Sequence, residues 1–178
     1  MTQTNNFVFK ALHVIAWVIF VGLCIEAGAL VVNFIFSIYK PEVLQNLYNK
    51  LDLSKMYDRS QWAFFRTYSF VLTIAILKAY LFYELIVLLS KLDLSKPFTR
   101  FVSEQITKIS YYTFSIGIIS YIARQSAKSL LKSGFEINDV NEFWADSQAF
   151  ILMAGVIYVI ATIFKKGIEI QNENDLTV

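Results

Sequence analysis

The sequence predicts an all-α fold: an integral membrane four-helix bundle with short amphipathic connecting helices. Three observations carry that expectation. Four apolar stretches lie near residues 8–38, 63–90, 108–126 and 145–164, and roughly 20 apolar residues in a helix cross a hydrocarbon core. The composition is 56% hydrophobic and only 17% charged, against about 25% charged in an ordinary globular domain. Short polar segments separate the stretches, and Pro41 and Pro97 both fall in them rather than inside a span. The chain then forms one transmembrane domain, 1–178, with a tail over 165–178. A soluble helical bundle is the competing reading, since charges interrupt several of the stretches.

The first stretch runs from Phe7 to Tyr39 and is stopped by Lys40-Pro41, because proline cannot continue the helical pattern. It is longer than a bilayer is thick, so it must tilt or protrude. Its start imitates a secretory leader, with Lys10, an apolar run and Ala27-Gly28-Ala29. The apolar character resumes from Leu30 to Tyr39, which favours an uncleaved first membrane helix. Behind Pro41, Val43, Leu44, Leu47, Tyr48 and Leu51 recur at helical spacing and predict a short amphipathic helix.

The second stretch opens at Trp62, an interfacial aromatic. Arg66, Ser69, Thr73, Tyr80 and Glu84 share one of its faces, and Lys78 points elsewhere. A polar stripe on a membrane helix faces protein or water rather than lipid. The connection from Lys91 to Lys108 is charged, and Pro97 opens a helix leading into the third stretch. The string Lys-Leu-Asp-Leu-Ser-Lys occurs at 50–55 and at 91–96, too short a match to establish a repeat.

The third stretch is the least hydrophobic. Ser110, Thr113, Gly117 and Tyr121 share a face, and small or hydroxylated residues let helix backbones approach and hydrogen-bond across the contact. It is expected to be the most buried of the four. Ser133-Gly134 then breaks the chain ahead of the acidic Glu136, Asp139, Glu142 and Asp146. Trp144 marks the boundary of the fourth stretch, which runs uncharged from Ser147 to Phe164. Arg124 and Asp146 are placed to pair near that boundary.

An even number of spans puts both termini on one side. That side would hold Lys10, Lys91, Lys96, Arg100, Lys108, Lys165 and Lys166; the other would hold Lys40, Lys50, Lys55, Arg59, Arg66, Arg124, Lys128 and Lys132. The two sets nearly balance. The Lys165-Lys166 pair directly after the last span tips both termini toward the cytoplasm of a cytoplasmic (inner) membrane. His13 and Cys24 are the single histidine and cysteine, which leaves no set for a His/Cys metal cluster and no intrachain disulfide. No catalytic residues and no cofactor are expected, and the net charge of +2 offers nothing to nucleic acid directly.

Glu26 and Lys78 are the most informative single residues. If the first two stretches pack antiparallel, their levels match within about three residues, or roughly 4–5 Å along the axis. A lone charge near mid-membrane costs at least about 2.5–3.5 kcal/mol on insertion scales. Glu26 also shares a small and polar face with Gly22, Ala29, Asn33 and Ser37. Three readings stay open: a structural ion pair, a neutral packed carboxylic acid, and a proton- or ion-handling site built from Glu26, Lys78 and Asn33.

The closing run Phe164-Lys165-Lys166-Gly167-Ile168-Glu169-Ile170-Gln171-Asn172-Glu173-Asn174-Asp175-Leu176-Thr177-Val178, together with Lys96-Pro97-Phe98-Thr99, resembles the bacterial domain-of-unknown-function 2975 family. The resemblance extends over nearly the whole chain through the four-span layout, and the tail is its specific part. It implies a small bacterial four-helix membrane protein without accepted catalytic residues. Members often stand beside small helix-turn-helix regulators, which implies a regulatory or immunity-like role. Read physically, the tail with Lys165, Lys166, Glu169, Glu173 and Asp175 is either a fraying end or a docking segment for a cytoplasmic partner. The leading functional expectation is a non-enzymatic protein of the lipid bilayer that binds or regulates a protein partner or forms a homo-oligomer. The alternative is a small oligomeric transporter or channel subunit using an intramembrane carboxylate.

Overall fold

Helix accounts for nearly all of the described residues. The computed structural model describes residues 3–39, 53–137 and 140–175. Four long helices, α1 (Gln3–Tyr39), α3 (Gln61–Lys91), α4 (Arg100–Lys132) and α6 (Ser147–Asp175), are joined with two short ones, α2 (Ser54–Arg59) and α5 (Asn141–Trp144). No strand occurs among the described residues. The amphipathic helix expected at Val43 to Leu51 lies outside them.

Local chemistry sets the helix ends. Ser60 caps α3 by accepting from the Ala63 amide at 3.3 Å, and Thr99 caps α4 by accepting from the Val102 amide at 3.3 Å. Gly134 follows the end of α4 at φ 78°, the left-handed geometry that a Cβ disfavours. Arg59 secures that turn, donating to the carbonyls of Gly134 (2.6 Å) and Ser133 (2.9 Å) while lying over the Phe135 ring.

The extensive contacts run α1 to α3, α3 to α4, and α4 to α6. Each pair is antiparallel. The Tyr68 hydroxyl donates to the Leu30 carbonyl, Gln105 meets Glu84, and Ser110 Oγ donates to the Ala154 carbonyl. One end of the molecule therefore carries the start of α1, the α3–α4 connection and the end of α6. We call it the terminal end.

Among the described residues, three stretches are long and apolar enough to cross a membrane: Phe7–Tyr39, Gln61–Lys91 and Asn141–Glu173. The last joins α5 and α6. The expected third span, 108–126, is the middle of α4, whose polar content keeps it out of that set. Its polarity is turned inward: Ser103, Gln105, Ser110, Thr113 and Ser120 are all buried. A helix packed on two sides can hide its polar groups within its contacts.

The α4–α6 contact is the closest in the fold. Ser103, Ser110 and Gly117 recur every seven residues on α4, facing Ser147, Ala154 and Ala161 at the same spacing on α6. A seven-residue repeat keeps one narrow seam in register along a gently coiled pair. A Cβ on Gly117 would sit 2.9 Å from the Ile151 nitrogen and 3.2 Å from the Ser147 carbonyl. Glycine is required there. The same contact places the start of α6 beside the middle of α4, so the segment after Gly134 runs back along the bundle and buries Ile137, Val140 and Trp144.

Candidate functional site

Three groups of residues carry the chemistry. The first surrounds Lys78. This half-buried ammonium sits 5.9 Å from the centroid of the Phe150 ring, in the field of Glu26 and, more weakly, of Asp146. Among the described residues it forms no direct ion pair with either carboxylate. The structure thus brings Glu26 and Lys78 to the same level and adds Asp146, which sequence reasoning paired with Arg124. No Arg124–Asp146 ion pair forms among the described residues. Arg124 is exposed on α4, whereas Asp146 reaches Lys78's level because α6 starts so far along the bundle.

The stripe around Glu26 divides. Asn33 (5% exposed) and Ser37 are buried in the α1–α3 contact, Glu26 and Ala29 are half-buried, and Gly22 faces open space. The stripe on α3 divides too: Glu84 is buried, Arg66 is half-buried with its guanidinium 4.4 Å from the Trp62 ring centroid, and Ser69, Thr73 and Tyr80 are exposed.

The second group joins Glu84, a member of the polar face expected on α3, to Gln105, which sequence reasoning did not single out. Glu84 (6% exposed) accepts a hydrogen bond from the Gln105 side-chain amide, which also donates to the Glu84 backbone carbonyl at 3.2 Å. Gln105 is itself 3% exposed. Tyr80 adjoins this pair, and its ring lies 4.9 Å from that of Tyr112. This is the most enclosed carboxylate among the described residues, and a partner so placed offsets much of the cost of burying it. Gln105 falls within the helix expected to open at Pro97, but it was not singled out there. Its spacing of four from Phe101 and Ile109 was the available signal.

The third group lies at the terminal end. Within the described residues the tail is helical: α6 continues without a break from the apolar stretch to Asp175. Lys166 and Glu169 form an ion pair at 2.7 Å, and Glu173 lies within electrostatic reach of Lys166. Asp175 ends the helix, its side chain outside the described set. Phe98 reaches across from the α3–α4 connection to stack near Phe164, at 5.2 Å between centroids. Its ring fills the space that a side chain at Gly167 would take, with a Cβ there only 2.6 Å from it. Beside this contact a cavity of about 890 Å³ opens between the start of α4 and the end of α6, lined by Arg100, Glu104, Lys108, Lys165, Glu169 and Asn172 among others.

These contacts join the two segments that carry the family resemblance, Lys96–Thr99 and the run after Phe164. The model of the family described as "Protein of unknown function (DUF2975)" matches residues 46–178. The chain belongs to that family. The DUF2975 match takes in α2 to α6 and begins after α1, so the Lys78 group straddles its edge: Lys78 and Asp146 lie within it, Glu26 before it. No curated protein and no solved structure matches the chain.

Proposed function

We propose that the protein is a non-enzymatic, multi-pass protein of the bacterial inner membrane whose terminal end receives a protein partner in the cytoplasm. Three apolar helices and a fourth with its polar groups turned inward support a four-span reading. The uncharged part of α6, Ser147 to Phe164, is about 27 Å long, close to a hydrocarbon core of about 30 Å. Laid against that slab, Lys10, Lys91, Lys165 and Lys166 stand at one face, the arrangement that favours cytoplasmic termini.

The observation that carries the partner reading is the terminal groove. Its walls come from two segments far apart in the chain, held together by Phe98 seated on Gly167, and its rim mixes Arg100, Lys108 and Lys165 with Glu104 and Glu169. A rim of both signs suits a polypeptide better than a small anion. A photo-crosslinking residue placed at Asn172 in native membranes tests this. A discrete protein adduct is expected, lost when Gly167→Leu displaces Phe98 without reducing the amount of protein. Adducts to lipid alone, or none, would refute the reading.

The second reading, a small oligomeric transporter, is favoured by one observation: Lys78 stands among Glu26 and Asp146 without a direct bridge. Reconstituted liposomes would then show proton or ion flux that Glu26→Gln removes. A silent, correctly folded wild type would dispose of it.

A further inference from the structure

We infer that the crevice between α3, α4 and α6 is a binding site for one tail of a zwitterionic, primary-amine glycerophospholipid, with the headgroup held between Asp146 and Lys78. The inference rests on the bilayer part of the reading above and not on its protein partner. The crevice measures about 620 Å³. Its walls are apolar along their length, with Leu81 and Leu85 on one side, Phe150, Met153 and Ile157 on the other, and Ile109 at its floor. Asp146 is the one charged lining residue, and it stands at one end.

That end is where the second charge lies. Phe150, part of the wall, has the Lys78 ammonium 5.9 Å from its ring centroid, and neither Lys78 nor Asp146 forms a direct ion pair among the described residues. The crevice therefore runs from a cation and an anion at its mouth to hydrocarbon at its depth. From Asp146 to Ile157 it extends about 16 Å, close to one leaflet, half of a core about 30 Å thick. An acyl chain matches that length and the apolar lining.

The charges choose the headgroup. Lys78 suits a phosphate and Asp146 a primary ammonium. Glu26, also close to Lys78, makes the surroundings net negative, which disfavours an anionic headgroup lacking an amine.

The test uses the full chain in nanodiscs of mixed phosphatidylethanolamine and phosphatidylglycerol, followed by native mass spectrometry after gentle extraction. One retained phosphatidylethanolamine per chain is expected, enriched several-fold over its share of the nanodisc. Asp146→Asn should abolish the headgroup preference, and Ala149→Trp, which fills the crevice, should abolish retention of either lipid. Both variants are first checked for an unchanged monodisperse profile. Equal retention of the two lipids, or none by the wild type, would overturn the proposal. So would disulfide-linked dimers from Ala149→Cys in a Cys24→Ser background, which would put a second copy in the crevice. A chain that stays soluble without detergent and never enters nanodiscs would instead sink the bilayer reading.

Discussion

The α4–α6 and α1–α3 contacts join helices of similar length by opposite means. Along α4–α6 the backbones nearly touch: small residues repeat every seven positions, and Ser110 Oγ donates to the Ala154 carbonyl at 2.9 Å. Along α1–α3 the helices are held by rings, with Phe34 against Phe65 and Tyr68, and Phe20 against Tyr83. Buried residues of α1 run from Ala16 to Ser37, while Val14, Val18 and Ile25 are exposed. Lipid tails are as apolar as leucine, so hydrophobicity alone does not draw helices together in a bilayer. Close backbone approach and interhelical hydrogen bonds do. The α4–α6 pair is thus joined by close backbone approach, and the α1–α3 pair by interlocking aromatic side chains.

Substitutions can break that contrast, and the largest effect is expected at Gly117. A leucine there must part the backbones of α4 and α6, costing about 3 kcal/mol through overpacking. Thermal unfolding followed by loss of the monodisperse peak in detergent would show it, and an unchanged midpoint would mean that the two helices are not in close contact. Next comes Gln105→Leu, which leaves the Glu84 carboxylate buried without its amide donor and should cost about 1–3 kcal/mol. Glu84→Gln, which keeps a hydrogen-bonding partner for Gln105, should cost less by the same assay.

In the α1–α3 contact the expected effects are smaller. Tyr68→Phe removes the 2.9 Å hydrogen bond to the Leu30 carbonyl and should lower stability by about 1 kcal/mol, with faster hydrogen exchange in α1 near Leu30. The smallest change is expected at Gly22, where an added Cβ meets nothing within 4 Å. Gly22→Ala should leave the melting midpoint unchanged or raise it slightly, by up to about 1 kcal/mol of helix propensity. A marked loss there would place a neighbour against that face of α1.

Much of this architecture could be read in the residues. The apolar runs located three of the long helices, Pro97 fell between two of them, and the small and hydroxylated face of α4 pointed to its central position. The site was less legible. Glu26 and Lys78 were placed at one level by assuming an antiparallel pair, a local inference from one short connection. Asp146 joins them only because Gly117 admits the start of α6 at the midpoint of α4, and no local pattern encodes that register. The pairing of Glu84 with Gln105 escaped notice for a related reason: Glu84 read only as one member of a polar face, and only its meeting with Gln105 makes a buried polar node. The tail looked like a charged end because its apolar residues are discontinuous, yet the helical path of α6 carries on into it as far as Asp175.

Composition and hydropathy decided that this chain is helical and where its helices begin, because those properties are set by how each segment meets lipid or water. They also decided which chemistry is scarce, since one histidine and one cysteine cannot build a His/Cys metal cluster. The tertiary structure decided which charges share a neighbourhood, where α6 stands against α4, and that Phe98 and Gly167 form one surface. Those facts depend on packing at single positions, where a missing Cβ or a ring a few ångströms away sets the register of a whole helix.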